Sequence, residues 1–155
     1  MFIRTVKIKR PKLWLTFLLL IVFGICVTLF IIGLKNRGND RELTTESKRQ
    51  TFLHELGWEV PSDHDSVKTV LIPEEWDEVY LTYNKLQKQQ GFDLTMYKGM
   101  QVQVYTYHIL NYPDHEDDDH IYCHLMLCDG HLIGGDVSST AADGFMQGLS
   151  LIHNS

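Results

Sequence analysis

One stretch constrains this chain more than any other: it begins at Leu13, ends at Leu34, and runs 22 residues without a charge, LWLTFLLLIVFGICVTLFIIGL. At about 1.5 Å of rise per residue, a helix of that length reaches about 33 Å, enough to cross a hydrocarbon core of about 30 Å. The hydroxyls of Thr16 and Thr28 can bond back to the preceding turn, and Trp14 stands where an amphipathic ring suits the headgroup region. A cleaved signal peptide would carry an apolar run of about 7–15 residues and a small-x-small site. Ile32-Gly33-Leu34-Lys35 supplies no such site, and Ile25 directly before Cys26 argues against a lipoprotein anchor. A buried helix of a soluble domain would have a polar face, and this segment has none. The expectation is an uncleaved transmembrane helix over residues 13–34, in contact with the lipid bilayer.

Charge gives that helix a direction. Residues 1–40 hold seven Lys and Arg against one acid, whereas the remaining residues hold seven against 19. The formal net charge of −6 therefore conceals a basic start and a strongly acidic remainder. Five bases and no acid precede the span, so the positive-inside rule places residues 1–12 in the cytoplasm as a basic N-terminus. Residues 35–45, polar and without periodicity, read as a tether, and residues 46–155 as an extracytoplasmic domain. An acidic exterior disfavours nucleic acid as a partner.

The exported part reads as α+β. A helix is expected over 46–56, with Phe52, Leu53 and Leu56 on one face and Gly57 as its stop. VKTVLI at 67–72 reads as a strand. Pro73 then opens the strongest helical pattern, in which Trp76, Val79, Tyr80, Tyr83 and Leu86 form one stripe of period 3.6 and Gly91 ends the run. That stripe is expected to face the core. Strands follow over 100–110, 121–127 and 131–137, the last two joined by Asp129-Gly130. Val102 and Val104 share one parity while Tyr105 and Tyr107 share the other, which suggests a bulge or a bend. Residues 141–151 are expected to form a short helix. The sum is an N-terminal transmembrane helix followed by a small domain, an antiparallel sheet of three or four strands packed by two helices on one face.

Candidate chemistry is sparse. The run Asp114-His115-Glu116-Asp117-Asp118-Asp119-His120 groups carboxylates with imidazoles, so Asp114, His115, Asp117, Asp119 and His120 are candidate cation ligands. The spacing matches no known ligand pattern, and clustered like charges suit a solvated loop equally well. Cys123 and Cys128 are five apart on one extended strand, about 16 Å, which is too far for a disulfide. Gly134 and Gly135 would admit a close approach by a backbone or an aromatic ring, and Asp136 and Asp143 flank the turn that follows. These four are candidate binding residues. There is no G-x-S-x-G elbow beside Ser138 or Ser139 and no phosphate-cradling glycine loop, so neither a catalytic residue nor a cofactor is assigned.

Ile72-Pro73, Tyr80, Tyr83-Asn84-Lys85-Leu86-Gln87-Lys88 and Gly91-Phe92-Asp93-Leu94 together form a recognisable pattern. With Tyr97-Lys98-Gly99, Tyr105-Thr106-Tyr107, Asn111-Tyr112-Pro113, Gly134-Gly135-Asp136-Val137, Asp143-Gly144-Phe145-Met146 and Gly148-Leu149, it resembles the bacterial domain-of-unknown-function 4830 family over roughly residues 68–149. The resemblance implies a bacterial host, chiefly Gram-positive anaerobes of the Clostridia type, and carries over no activity. Three functional readings stay open. One is a binding or interaction module in the cell envelope, with an envelope or membrane protein as a possible partner. A second is a metal-dependent or hydrolytic envelope enzyme using Asp136, Asp143 and nearby His. The third is a regulatory partner or inhibitor of a neighbouring membrane protein.

Overall fold

The structure is a computed structural model that describes residues 41–115, 119–142 and 144–150, together with Ile21 and Phe23. The chain divides into two compact units, Met1–Gly38 and Asn39–Ser155. In the first, Ile21 and Phe23 are helical and exposed. The rest of the expected span over 13–34 lies outside the described residues, among which no helix is long and apolar enough to cross a membrane.

The second unit runs α1 (Glu46–Glu55), β1 (Ser66–Leu71), α2 (Glu78–Gln89), a 3-10 turn (Leu94–Tyr97), β2 (Gln101–His108), β3 (Ile121–Cys128), β4 (His131–Ser139) and β5 (Met146–Gln147). The five strands form one antiparallel sheet in sequence order. The domain is α+β, with one strand more than the upper expectation. That strand is β5: the tail expected as a helix instead adds Met146 and Gln147 beside Ser138 and Val137, consistent with the poor helix propensity of a segment holding Gly144 and Gly148.

Both helices end in the same way. Gly57 and Gly91 adopt φ of 90° and 86°, a region that only glycine occupies without strain. The following residues reach back, Trp58 N–H to Leu53 O at 3.0 Å and Phe92 N–H to Gln87 O at 3.0 Å, closing Schellman motifs that satisfy the last carbonyls. The starts differ from expectation once. Pro73 does not open α2, because its carbonyl accepts the Trp76 indole N–H at 2.9 Å in a preceding turn. The helix begins after Asp77, whose carboxylate caps the Tyr80 N–H at 2.9 Å.

The sheet is covered on both faces rather than one. Phe52, Leu53 and Trp58 pack with Tyr107, Cys123, Leu125, Leu127 and Val137. The opposite face carries Val102, Cys128 and Ile133 with Ile72, Leu94, Trp76 and Tyr83. Alternating residues of β2 are therefore buried on opposite sides, and the switch in parity between Val102 and Tyr107 needs no bulge there. The irregularity lies instead between Met126 and Leu127, where β4 inserts Ile133. Cys123 and Cys128, one in each core, are buried free thiols.

Residues 41–45, expected as the end of a tether, belong to the fold. Leu43 is buried and donates its N–H to Gly130 O at 2.7 Å, while Arg41 O accepts Leu132 N–H at 2.9 Å. Any tether ends before Arg41.

One contact fixes the free side of β4. Extending the β4–β5 register beyond Val137 and Gln147 would set Leu149 opposite Gly135. Two glutamine amides from α2 fill that gap. Gln87 Nε2 donates to Gly135 O at 3.0 Å, and its Oε1 accepts Gly135 N–H at 2.9 Å, closing a ring that imitates a strand pair. Gln90 donates to the same carbonyl at 3.0 Å and accepts Leu149 N–H at 2.7 Å. A Cβ on Gly135 would lie 2.5 Å from His124 O and 2.9 Å from Leu149 Cδ2. Gly135→Ala is therefore expected to lose about 1–3 kcal/mol in urea unfolding, through overpacking against backbone that cannot retreat.

Candidate binding groove along the second helix

The face that α2 turns inward is polar. Its buried residues are Asn84 and Gln87. Gln87 holds Gly135, while Asn84 Oδ1 accepts Leu94 N–H at 2.8 Å and Asn84 Nδ2 donates to Asp93 at 3.2 Å. Burial alone would raise the Asp93 carboxyl, but hydrogen bonds from Thr95, Asn84 and Lys88 bring it down to about 2. The turn after α2 is thus pinned by a carboxylate that stays ionised at ordinary pH.

Because the amides face the sheet, the apolar stripe expected in the core faces largely outward. Val79 is 73% exposed, Tyr80, Tyr83 and Leu86 are half-buried, and only Trp76 and Tyr83 pack onto the second core. Val79, Tyr80, Tyr83 and Leu86 line a groove of about 980 Å³ whose other wall is Met126 of β3 and Met146 of β5. Glu78 and Lys85 bring one charge of each sign to it. An apolar stripe that its own fold covers only in part marks a candidate binding surface, and methionines suit such a surface because their side chains adapt to irregular shapes.

Asp136 sits beneath this groove. Met126 pairs with Gly134 and Met146 with Ser138, so Asp136, midway along β4, shares their face and lies between them. It is 3% exposed. Tyr83 donates its hydroxyl to Oδ1 at 2.7 Å, whereas Oδ2 has no hydrogen-bond partner among the described residues. Burial pushes the Asp136 carboxyl up, against the opposing pull of His124 across the strand, the Tyr83 hydrogen bond and the neighbouring Ser138 hydroxyl. Burial and the neighbouring Asp136 push the Tyr83 phenol up in turn.

The other sequence candidates scatter. Gly134 and Gly135 admit the Gln87 amide and the Leu149 side chain, not an aromatic ring. Asp143 and Asp117 lie outside the described residues. Asp114, His115, Asp119 and His120 are exposed, and among the described residues they bring no three ligand atoms together. Of the histidines on the sheet, His108 pairs with Tyr122, and His124 stands opposite Thr106 and shares a 3.1 Å hydrogen bond with it through Nδ1. No Ser-His relay is assembled at these positions among the described residues: the His124 Nδ1 is hydrogen-bonded to Thr106.

A group the sequence reading missed is Glu46, Asp63 and His64, whose ligand atoms lie within 4.8 Å of one another. His64 Nδ1 is 3.0 Å from Glu46 Oε2 and 2.8 Å from Asp63 Oδ1. Buried Arg49 donates to the same Glu46 oxygen at 2.9 Å, to Tyr107 Oη at 2.8 Å and to Leu43 O at 3.0 Å. An arginine already supplies the positive charge there, so the group is an ion-pair network and not an open cation site. Its signal in the sequence was Arg49 three residues before Phe52, on the helix face that is buried.

The sequence profile of a family described as Domain of unknown function (DUF4830) matches residues 52–137, more than half of the 155-residue chain. The chain belongs to that family. No curated protein and no solved structure matches it. The match extends upstream of the range read from motifs and ends at Val137. In this DUF4830 chain the helix wall of the groove, Met126, Gly135 and Asp136 therefore fall inside the family range, while Asp143, Met146 and Leu149 fall beyond it. Asn111-Tyr112-Pro113, noted above as a motif, serves the fold. Asn111 holds Glu59 N–H and Gly57 O, and the Tyr112 ring lies between Trp58 and Phe145 at 5.9 and 4.9 Å.

The buried carboxyl of Asp136 makes stability depend on pH. Its native pKa is raised above the ordinary value of 3.8, so between the two the native state holds the extra proton and stability falls as pH rises. Asp136→Asn is expected to flatten that decline and to raise the urea midpoint at pH 7 relative to the parent. Unfolding curves collected from pH 4 to pH 7 check both.

Proposed function

We propose that this protein is a non-catalytic binding module, held at a bacterial cell membrane by residues 13–34, with its α+β domain on the outer face and its groove along α2 as the binding surface. The observation that carries the binding role is the inversion of α2. A helix with a regular apolar stripe spends its buried face on Asn84 and Gln87 and leaves Val79, Tyr80 and Leu86 to line a groove. The volume falls within the range of small-molecule sites, about 300–1,000 Å³. The location is supported by the uncharged length from Leu13 to Leu34, and the orientation by the five bases that precede it. A Gram-positive envelope is the setting implied by the family resemblance.

Two measurements test the two halves of the reading. With full-length protein in nanodiscs, labelled at the methionine methyls, titrated n-hexanol is expected to shift Met126 and Met146 and to leave Met96 and Met100 in place. Val79→Glu should weaken that response at least tenfold. Equal shifts at all four methyls, or none, would reject the groove. For the location, protease added to intact cells should destroy residues 41–155 while sparing a tag at residue 1, and a protected domain would reverse the orientation.

A further inference from the structure

One atom behind the groove distinguishes it from other apolar surfaces. Asp136 Oδ2 is buried and has no hydrogen-bond partner among the described residues. A buried oxygen in that condition is costly, most of all when charged, and native folds keep few of them. Its position is specific. The register sets it between Met126 and Met146, the two methionines that form the sheet wall of the groove. Tyr83 both lines the groove and holds the other carboxylate oxygen.

Resting on the groove reading, we propose that the ligand is a small amphiphilic amine, an apolar chain laid along Val79, Leu86 and the two methionines with its ammonium group on Asp136 Oδ2. The chemistry fits from three sides. An ammonium brings donors, which is what an acceptor-only oxygen lacks, and a charge-assisted bond in a dry setting is the strong kind. Tyr80 and Tyr83, whose aromatic rings can attract a cation, both line the groove. Glu78 and Lys85 at the rim offset one another, so the choice between a cation and a neutral molecule falls to the carboxylate. His124 faces Asp136 from β3, but its Nδ1 is taken by Thr106. Asp136 is not itself part of the groove lining, so the Tyr83 ring must turn aside to admit the amine.

The test compares n-hexylammonium with n-hexanol on the same methionine-labelled, full-length protein in nanodiscs, with empty nanodiscs as the blank. Hexylammonium is expected to shift Met126 and Met146 at a concentration at least tenfold lower than hexanol. Asp136→Asn should bring the two ligands to within about twofold by weakening the amine alone. Equal affinities on the parent protein would overturn the amine proposal and leave the groove standing. So would a preference that survives Asp136→Asn. No response to either ligand would remove the groove itself. The comparison on the parent protein needs no variant, so it remains decisive even where the substitution harms folding.

Discussion

The ring between the Gln87 amide and the backbone of Gly135 decides how this domain is arranged. A glutamine side chain carries the same donor and acceptor pair as a peptide group, so it can complete a sheet edge where the neighbouring strand ends. Here β5 covers only Val137 and Ser138, and the next rung is made by Gln87 and Gln90. Because those amides project from α2, the helix must present its polar side to the sheet. Asn84, one turn earlier, is drawn in with them and ties down the turn at Asp93 and Leu94. Val79, Tyr80 and Leu86 of the apolar stripe are then left toward the groove for geometrical reasons.

The two faces of the sheet have consequently separate tasks. The α1 face carries the larger core. Trp58 is fully buried, donates its indole N–H to Leu149 O at 2.6 Å and stacks on Tyr112. Arg49 is buried there too, but with three hydrogen-bond partners and Tyr105 beneath its guanidinium at 3.8 Å, so its charge is compensated. The α2 face keeps a smaller core around Val102, Leu94 and Ile133 and leaves the rest to the groove. A domain that rests its stability on one face can keep an unsatisfied carboxylate and an open apolar surface on the other.

How far the sequence revealed this follows from what periodicity can report. Helix and strand positions were legible because Phe52-Leu53, the 76–86 stripe and the alternation through Ile121, Cys123 and Leu125 are local signals, and Gly57 and Gly91 stop helices through their own backbone. A 3.6-residue stripe, however, says only that a helix has an apolar side. It does not say that this side is covered by the same molecule. The inward face of α2 was hidden because Asn84 and Gln87 look like surface residues until Gly135, 48 positions past Gln87, supplies the partner. The two-sided burial of β2 was visible as mixed parity, yet was easier to explain as a bulge while both helices were assigned to one face.

The glycine pair at 134–135 illustrates why a site can look functional in a sequence for reasons that are structural and still lead to the site. Gly134 and Gly135 are small because an amide approaches on one side and Leu149 on the other: a Cβ on Gly134 would meet Gln87 Oε1 at 2.9 Å. Neither glycine lines the groove. Yet the same approach brings α2 close enough for Tyr83 to reach Asp136, and it is Tyr83 that connects the buried carboxylate to the groove. Gly134 sets a helix-to-sheet distance, and that distance is what places an acidic residue under an apolar surface. A bulkier residue at Gly134 would push α2 outward, separating the phenol from the carboxylate and widening the groove at once, so stability and the chemistry of the groove are coupled through one packing distance.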